Sequence, residues 1–224
     1  MAVSATVFDS LTGAKPVENA VSKLTKKVDV LELNEDFMVH RTVLTPNTNR
    51  MSLTASEEEK YYGQFLHTLN TFKPDLICLY GGYVLEQLIC HEAKRRGIPV
   101  LFYLGNNSYT KGASIFRLVD RVITDSEATA SLYSTETKLT VMPVGTFIEP
   151  EDVVSKQHKP KYITFINPTA SKGATIVAGL AEHFKRHRPE YRFLIVQSRG
   201  DWLQTCKELG YEPERFDNVD VSKN

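Results

Sequence analysis

The sequence predicts an α/β protein, with a doubly wound parallel sheet in a first domain over residues 1–149 and a partial second domain of similar build over residues 150–224. Three observations predict it. Short apolar runs alternate with amphipathic helical patterns from Pro74 onward, and glycine or proline stands at most of the junctions. One stretch, Glu149 to Pro160, replaces the alternation with charge and proline, as a linker does.

The elements follow in order. Val3 to Phe8 and Val28 to Leu33 are runs of strand length. After a polar stretch from Asn47, Ser56-Glu57-Glu58-Glu59 reads as a capping box, and Tyr62, Phe65, Leu66, Leu69 and Phe72 continue at helical spacing. Pro74-Asp75 ends that helix, and Leu76 to Tyr80 is an apolar run suited to a strand buried on both faces. Gly81-Gly82 makes a turn into a helix from Tyr83 to Arg96 that presents Val84, Leu85, Leu88, Ile89 and Ala93 and stops at Gly97. Strands are expected at Val100 to Leu104, Arg121 to Thr124 and Leu139 to Met142, with a helix over Ser126 to Ser134. Beyond the linker come a strand at Tyr162 to Ile166, a polar turn, and a helix opening at Lys172-Gly173 with Ser171 as its N-cap. That helix turns Ile176, Val177, Leu180, Ala181 and Phe184 to one side. A strand at Arg192 to Gln197, a helix starting at Asp201-Trp202, and a short run at Val219 to Val221 complete the chain.

Composition excludes several classes. Lysine plus arginine equal aspartate plus glutamate at 27 each, so no global field gathers a polyanion, and nucleic acid is not expected as a partner. The three cysteines, Cys78, Cys90 and Cys206, are an odd number without paired spacing, which fits a reducing cytoplasm; Cys78 and Cys90 read as core residues. Cys90-His91 with Cys78 matches no zinc spacing, and no metal is expected. No run reaches the roughly 18–20 apolar residues of a membrane span, and no basic-then-apolar leader opens the chain. Lys94-Arg95-Arg96 and the Lys185 to Arg188 cluster are the groups a peripheral membrane contact would use. They equally suit the last turns of helices, where cations complement the dipole.

The richest segment for chemistry is Lys161 to Arg199, a strand, turn, helix and strand. Amides left free at the start of its helix, with Lys172 beside them, would receive an anion such as a diphosphate. In the first domain, Gly81 and Gly82 are good turn chemistry after a strand, and Asn106, Asn107, Ser108 and Tyr109 form a polar cluster past a strand's carboxyl end, where open α/β sheets put ligands. Ser126, between strand and helix, reads first as an N-cap and second as a lining group. Trp202, with Leu203, Cys206 and Leu209, reads as a packing residue.

Taken as an ordered set, Pro74-Asp75-Leu76-Ile77 with Tyr80-Gly81-Gly82, Arg95 to Val100, Asn106 with Tyr109, Asp120 with Asp125-Ser126-Glu127, Pro143, and Phe165 to Pro168 with Lys172-Gly173 resemble family 4 glycosyltransferases of the GT-B fold. The resemblance covers Pro74 to Trp202. It implies two Rossmann-like domains facing a cleft, a nucleotide-diphosphate sugar donor held by the C-terminal one, a hydroxyl acceptor (glycan, lipid-linked or small molecule) on the N-terminal one, and no cofactor or metal. Lys172, Gly173, Asn167 and Ser171 would match the donor-phosphate loop; Gly81, Gly82, Asn106, Tyr109 and Ser126 would match the acceptor side. The resemblance leaves the catalytic residue unassigned. Three departures stand out. Asn167-Pro168 occupies a loop where the family often has arginine, Gly105 stands where many relatives have histidine, and the family's acidic pair has no match after Trp202. The expected function is therefore retaining sugar transfer. The competing expectation is a truncated, non-catalytic domain that binds a nucleotide or a protein, and a homodimer or a completing partner chain would cover its second domain. With neither a Gly-x-Gly-x-x-Gly turn nor a phosphate-loop signature, a dinucleotide oxidoreductase or an NTPase is not expected.

Overall fold

The computed structural model describes residues 1–6, 15–35, 37–154, 156–157, 159–198 and 200–223. They form two compact units, Met1–Glu149 and Pro150–Asn224. Each is α/β and built on parallel strand pairing of the Rossmann-like kind.

In the first unit the elements run β1 (Ala2–Ala5), α1 (Lys15–Val21), β2 (Val30–Glu35), β3 (Met38–Val43), α2 (Ala55–Phe72), β4 (Ile77–Leu79), α3 (Val84–Arg95), β5 (Val100–Tyr103), β6 (Arg121–Thr124), α4 (Glu127–Thr137) and β7 (Val141–Pro143). Strands β4, β5, β6 and β7 lie side by side in chain order, all parallel. A second sheet has the order β1-β3-β2, with β1 parallel and β2 antiparallel to β3. The expected strand at Val3 to Phe8 thus occupies Ala2–Ala5, and Val7 and Phe8 lie outside the described residues. Strand β3 had no sequence signal because His40, Arg41 and Thr42 interrupt its apolar residues. His40 and Thr42 face Ser4 in hydrogen-bond contact (2.8 and 3.3 Å), and the Arg41 Nε donates to Glu32 at 2.8 Å.

The two sheets approach each other at β1 and β4 around an apolar cavity of about 440 Å³, lined by Ala2 and Val3 on one side and Ile77, Cys78 and Leu79 on the other. No strand hydrogen bonds cross it among the described residues. The Tyr61 hydroxyl of α2 spans to the Val3 carbonyl at 3.0 Å, and burial pushes its pKa up to about 12. Reading across, the order reverses between β1 and β4, which is the doubly wound arrangement, and ligands of such sheets bind beyond the strands' carboxyl ends at that reversal. The run Leu76 to Tyr80 is not buried on both faces: Ile77 and Leu79 are half-buried and Cys78 is exposed, and among the described residues β4 pairs with β5 alone; Cys90 and Cys206 are the buried thiols.

The start of α2 differs from the sequence reading by two residues. Thr54, not Ser56, is the N-cap, and Glu57, not Glu59, closes the box. The reason is Asn47. The buried Glu57 carboxylate accepts from the Asn47 and Thr54 amides at 3.0 and 2.8 Å and from Asn47 Nδ2 at 2.8 Å, so one side chain ties the preceding loop to the helix. These bonds, the Asn47 amide first, hold its carboxyl at about 2 against an ordinary 4.5. A depressed carboxyl stabilises the fold above its unfolded pKa and loses that contribution as pH falls through the folded value. Stability should therefore decline between pH 4.5 and about 2, and Glu57→Gln, less stable at neutral pH, should flatten that limb in urea melts taken across this range. An unchanged acid limb would sink the assignment.

Helix α3 buries Leu85, Ile89, Cys90 and Ala93 but leaves Val84 and Leu88 exposed, and it ends on Gly97 at φ 69°. In α4, Ser126 is the N-cap, accepting from the Thr129 amide at 3.4 Å. The core of this unit gathers Phe102, Ile115 and Tyr133, all fully buried, with Phe102, Tyr109, Phe116 and Tyr133 in edge-to-face ring contacts.

The second unit runs α5 (Pro150–Val153), β8 (Tyr162–Ile166), α6 (Ala174–His187), β9 (Arg192–Gln197), α7 (Trp202–Glu208) and β10 (Val219–Lys223), with a parallel sheet in the order β10-β9-β8. The expected linker thus holds one helical turn. Of the face its pattern suggested, helix α6 buries Ala181 and packs Val177 and Phe184 on the core but leaves Ile176 and Leu180 exposed; Ala174 and Ala178 are buried instead, and their small size lets the helix lie close to Phe193 and Ile195. Trp202 is a core residue, as expected, with its ring against Phe216 at a centroid distance of 5.5 Å. Among the described residues, no helix is long and apolar enough to cross a membrane.

Candidate functional site

In the first unit, the turn after β4 and the loop after β5 both leave the carboxyl end of the sheet. Between them lies a cavity of about 640 Å³ whose walls include Tyr80, Gly81, Gly82, Tyr83, Asn106 and Tyr109. Four of the five acceptor-side candidates therefore meet in one cavity. Ser126, the fifth, is not among its walls and serves α4 as a cap.

The glycines are there for stated reasons. Gly81 takes φ 103°, which L side chains rarely adopt, and a Cβ on Gly82 would stand 3.2 Å from the Tyr109 ring. Gly105 has a similar cause. A Cβ there would lie 3.1 Å from the Tyr103 ring, tighter than ordinary contact, and 3.7 Å from Tyr80, so a side chain at this position would require the Tyr103 ring to give. The Asn106 loop is pinned from below. The buried Tyr133 hydroxyl accepts from the Tyr109 amide and donates to the Asn106 carbonyl, both at 3.0 Å. Above, Asn106 Nδ2 donates to the Tyr80 hydroxyl at 2.9 Å. Burial first, then Tyr80, Tyr83 and Glu86, raise the Tyr109 phenol above its ordinary value, so it stays a neutral donor.

Ser108, a member of the expected polar cluster, also borders this cavity, as do Arg50, Tyr83 and Glu86, which were not foreseen. Arg50 comes from the polar stretch before α2 and has no local signature. It pairs with Glu58 at 2.7 Å and Glu86 at 3.3 Å, and its guanidinium lies 5.0 Å from the Tyr83 ring centre. Burial works against its charge, but Glu58 and Glu86 outweigh burial and raise its pKa. Glu86 also accepts from the Tyr83 amide at 2.8 Å, capping α3, and this three-residue spacing was the one available signal.

In the second unit, Asn167, Ser171, Lys172 and Gly173 share the loop from β8 to α6. Asn167 adopts φ 61°, and its Oδ1 accepts from the Gly200 amide at 2.9 Å, so that oxygen holds the loop to the segment after β9. Beside it, the Thr205 hydroxyl donates to the Pro168 carbonyl at 2.7 Å. The packing is tight enough that a Cβ on Gly200 would fall 2.8 Å from Pro168 backbone atoms. Ser171 is not the N-cap. Residues Ala170–Lys172 form a 3-10 turn, Gly173 at φ 92° caps α6, and the Ser171 hydroxyl lies 3.1 Å from that of Thr169. The turn consumes amides expected to be free, since Lys172 and Ala174 donate to the Thr169 carbonyl and Gly173 to that of Ala170. The Lys172 side chain is exposed and has no hydrogen-bond or ionic partner among the described residues. No group of three or more metal-ligating side chains is found among the described residues.

No protein-family model matches the chain, and no curated protein matches it in sequence. Solved structures do match in fold. A protein assigned as UDP-N-acetylglucosamine 2-epimerase from Listeria monocytogenes aligns with all of this chain at 10% identity and a TM-score of 0.50; the chain spans 60% of its length. UDP-GlcNAc 2-epimerase from Methanocaldococcus jannaschii aligns with all of it at 13% identity and 0.48, with 73% of that protein covered. MurG from Acinetobacter baumannii aligns over 99% at 13% identity and 0.39, with 67% covered. At such identities the Listeria likeness, the one at 0.50, speaks to fold alone, and it agrees with the GT-B type expected from the motifs.

Proposed function

We propose that this chain binds the diphosphate of a nucleotide sugar at the Asn167 to Gly173 loop and takes part in moving the sugar to a hydroxyl acceptor, in the manner of family 4 glycosyltransferases, with retained configuration. The single observation that carries the reading is Lys172. It is an exposed cation without a partner, on the turn between a parallel strand and the helix that follows it, where such sheets receive anions. The Listeria protein of like fold is assigned to a UDP-sugar reaction, which supports a nucleotide sugar as the ligand class. In the proposed chemistry Lys172 and the dipole of α6 stabilise charge gathering on the leaving diphosphate, without a metal ion. The acceptor is proposed to sit in the first unit's cavity, where Gly82 leaves room and Asn106 and Ser108 offer hydrogen bonds.

The test is thermal stability of the chain, in the presence of a chelator, with a panel of nucleoside diphosphates and nucleotide sugars. A bound ligand at a hundredfold excess over its dissociation constant adds about 2.7 kcal/mol, which a melt resolves. One nucleotide should raise the melting temperature beyond what pyrophosphate does, and Lys172→Ala should abolish that difference. No shift with any member of the panel would reject donor binding. The specific observation favouring a second reading is that the fold match at 0.50 is assigned as an epimerase. Incubating the stabilising nucleotide sugar with the chain and no acceptor separates the two, because epimerisation alone would convert the sugar.

A further inference from the structure

At the opposite end of the first unit's sheet, before β5, β6 and β7 begin, the surface carries two adjoining hollows of about 550 and 240 Å³ that share Arg117. Lys111 and Lys138 border the larger with Arg117, and Lys94 borders the smaller. These four cations come from four separate segments: the end of α3, the loop after β5, the 3-10 turn Ser114–Arg117, and the C-cap of α4. None of their side chains has a hydrogen-bond or ionic partner among the described residues. Elsewhere in the same unit some cations meet carboxylates, as in Arg41 with Glu32, Lys60 with Asp29, and Arg95 and Arg96 with Glu92, whereas Lys23, Lys26, Lys27 and Lys73 stand singly among the described residues and border neither hollow. No carboxylate borders the larger hollow, and Asp120, in the smaller, accepts from the Val100 amide at 2.8 Å.

Helix dipoles account for part of this charge. Lys94 and Lys138 stand at the carboxyl ends of α3 and α4, where a cation is favourable. Lys111 and Arg117 stand at no α-helix end, yet they border the same hollow as Lys138. In a chain whose charges balance, this is a local excess without its counter-charge, in a concavity that also offers the Ser114 hydroxyl and the Phe116 ring. We propose that this hollow binds a phosphate-bearing ligand, a phosphomonoester or diphosphate, with Arg117 as the forked donor and Lys111 and Lys138 as point charges on either side. The site shares no residue with the Asn167 to Gly173 loop or with the Gly82 cavity, and it stands whether or not those readings do.

The experiment uses the full chain carrying Lys172→Ala, so that the loop of the second unit does not contribute. Pyrophosphate and inorganic phosphate are titrated by calorimetry at low and physiological salt. The titration is repeated after Arg117→Gln with Lys138→Asn, the asparagine chosen because position 138 has φ 58°. The expected result is saturable pyrophosphate binding that weakens with salt and about tenfold on the double substitution, with an unchanged melting temperature. A parallel arm measures co-sedimentation with vesicles of phosphatidylcholine alone and of phosphatidylcholine with about one third phosphatidic acid. Binding to the acidic vesicles that the double substitution removes would identify a lipid headgroup as the source; pyrophosphate binding alone would identify a soluble ligand. Absence of binding in both arms, or binding that the double substitution leaves unchanged, would overturn the proposal.

Discussion

Trp202→Ala is expected to cost about 3–5 kcal/mol, the range for emptying a buried tryptophan site. The residue is 2% exposed and is among the largest of the fully buried side chains. It stands at the first turn of α7, where Asp201 caps the helix by accepting from the Gln204 amide at 2.8 Å, and its ring packs in the cluster with Phe216, Cys206 and Phe193. In a unit of this size the remaining side chains have little freedom to close the gap. The neighbouring Leu203 is half exposed, so Leu203→Ala should stay within about 0.5 kcal/mol. Circular dichroism melts in urea read both, since the substitution removes the chain's one tryptophan as a fluorophore. Equal losses for the two variants would refute the packing assigned to α7.

Tyr133 should show two separable effects. Tyr133→Ala empties a fully buried ring that meets Phe116 edge-to-face, and about 3–5 kcal/mol should be lost. Tyr133→Phe keeps the ring and removes only the hydroxyl, leaving the Tyr109 amide and the Asn106 carbonyl without their partner. That should cost about 1–3 kcal/mol. The distinguishing readout is local. Hydrogen exchange at the Tyr109 amide should accelerate in Tyr133→Phe while amides of β5 keep their protection, because the lost bond holds the cavity loop and not the sheet. Uniform acceleration across the unit would mean that the hydroxyl is a global support instead of a positioning group for the Asn106 loop.

The α/β alternation was legible because each strand from β5 to β9 is a short, mostly apolar run set off by glycine, proline or a capping residue. Arg121 to Thr124, Tyr162 to Ile166 and Arg192 to Gln197 sit where the pattern put them. What escaped was pairing through polar groups. Strand β3 presents His40, Arg41 and Thr42, and nothing in their order reveals Ser4 or Glu32 as partners. The helix faces were misread where size mattered more than hydropathy, since α6 turns alanines inward and isoleucine outward. At the candidate site, Gly81, Gly82, Asn106 and Tyr109 were legible as turn and loop residues past strand ends. Arg50 was not, because its relation to Tyr83 and Glu86 exists only after α2 and α3 have packed.

The cavity between β1 and β4 makes a seam down the middle of the first unit. To one side β5 and β6 are hydrogen-bonded on both edges; at the seam, β1 and β4 each have one edge without strand partners among the described residues. Mechanical continuity across it rests on α2, through contacts such as Tyr61 to Val3. Opening of this unit should therefore start as a parting of two half-sheets, with β1 and β4 yielding well before β5 and β6. The Gly81-Gly82 turn follows β4 directly, so the strand expected to yield early is the one that carries a wall of that cavity.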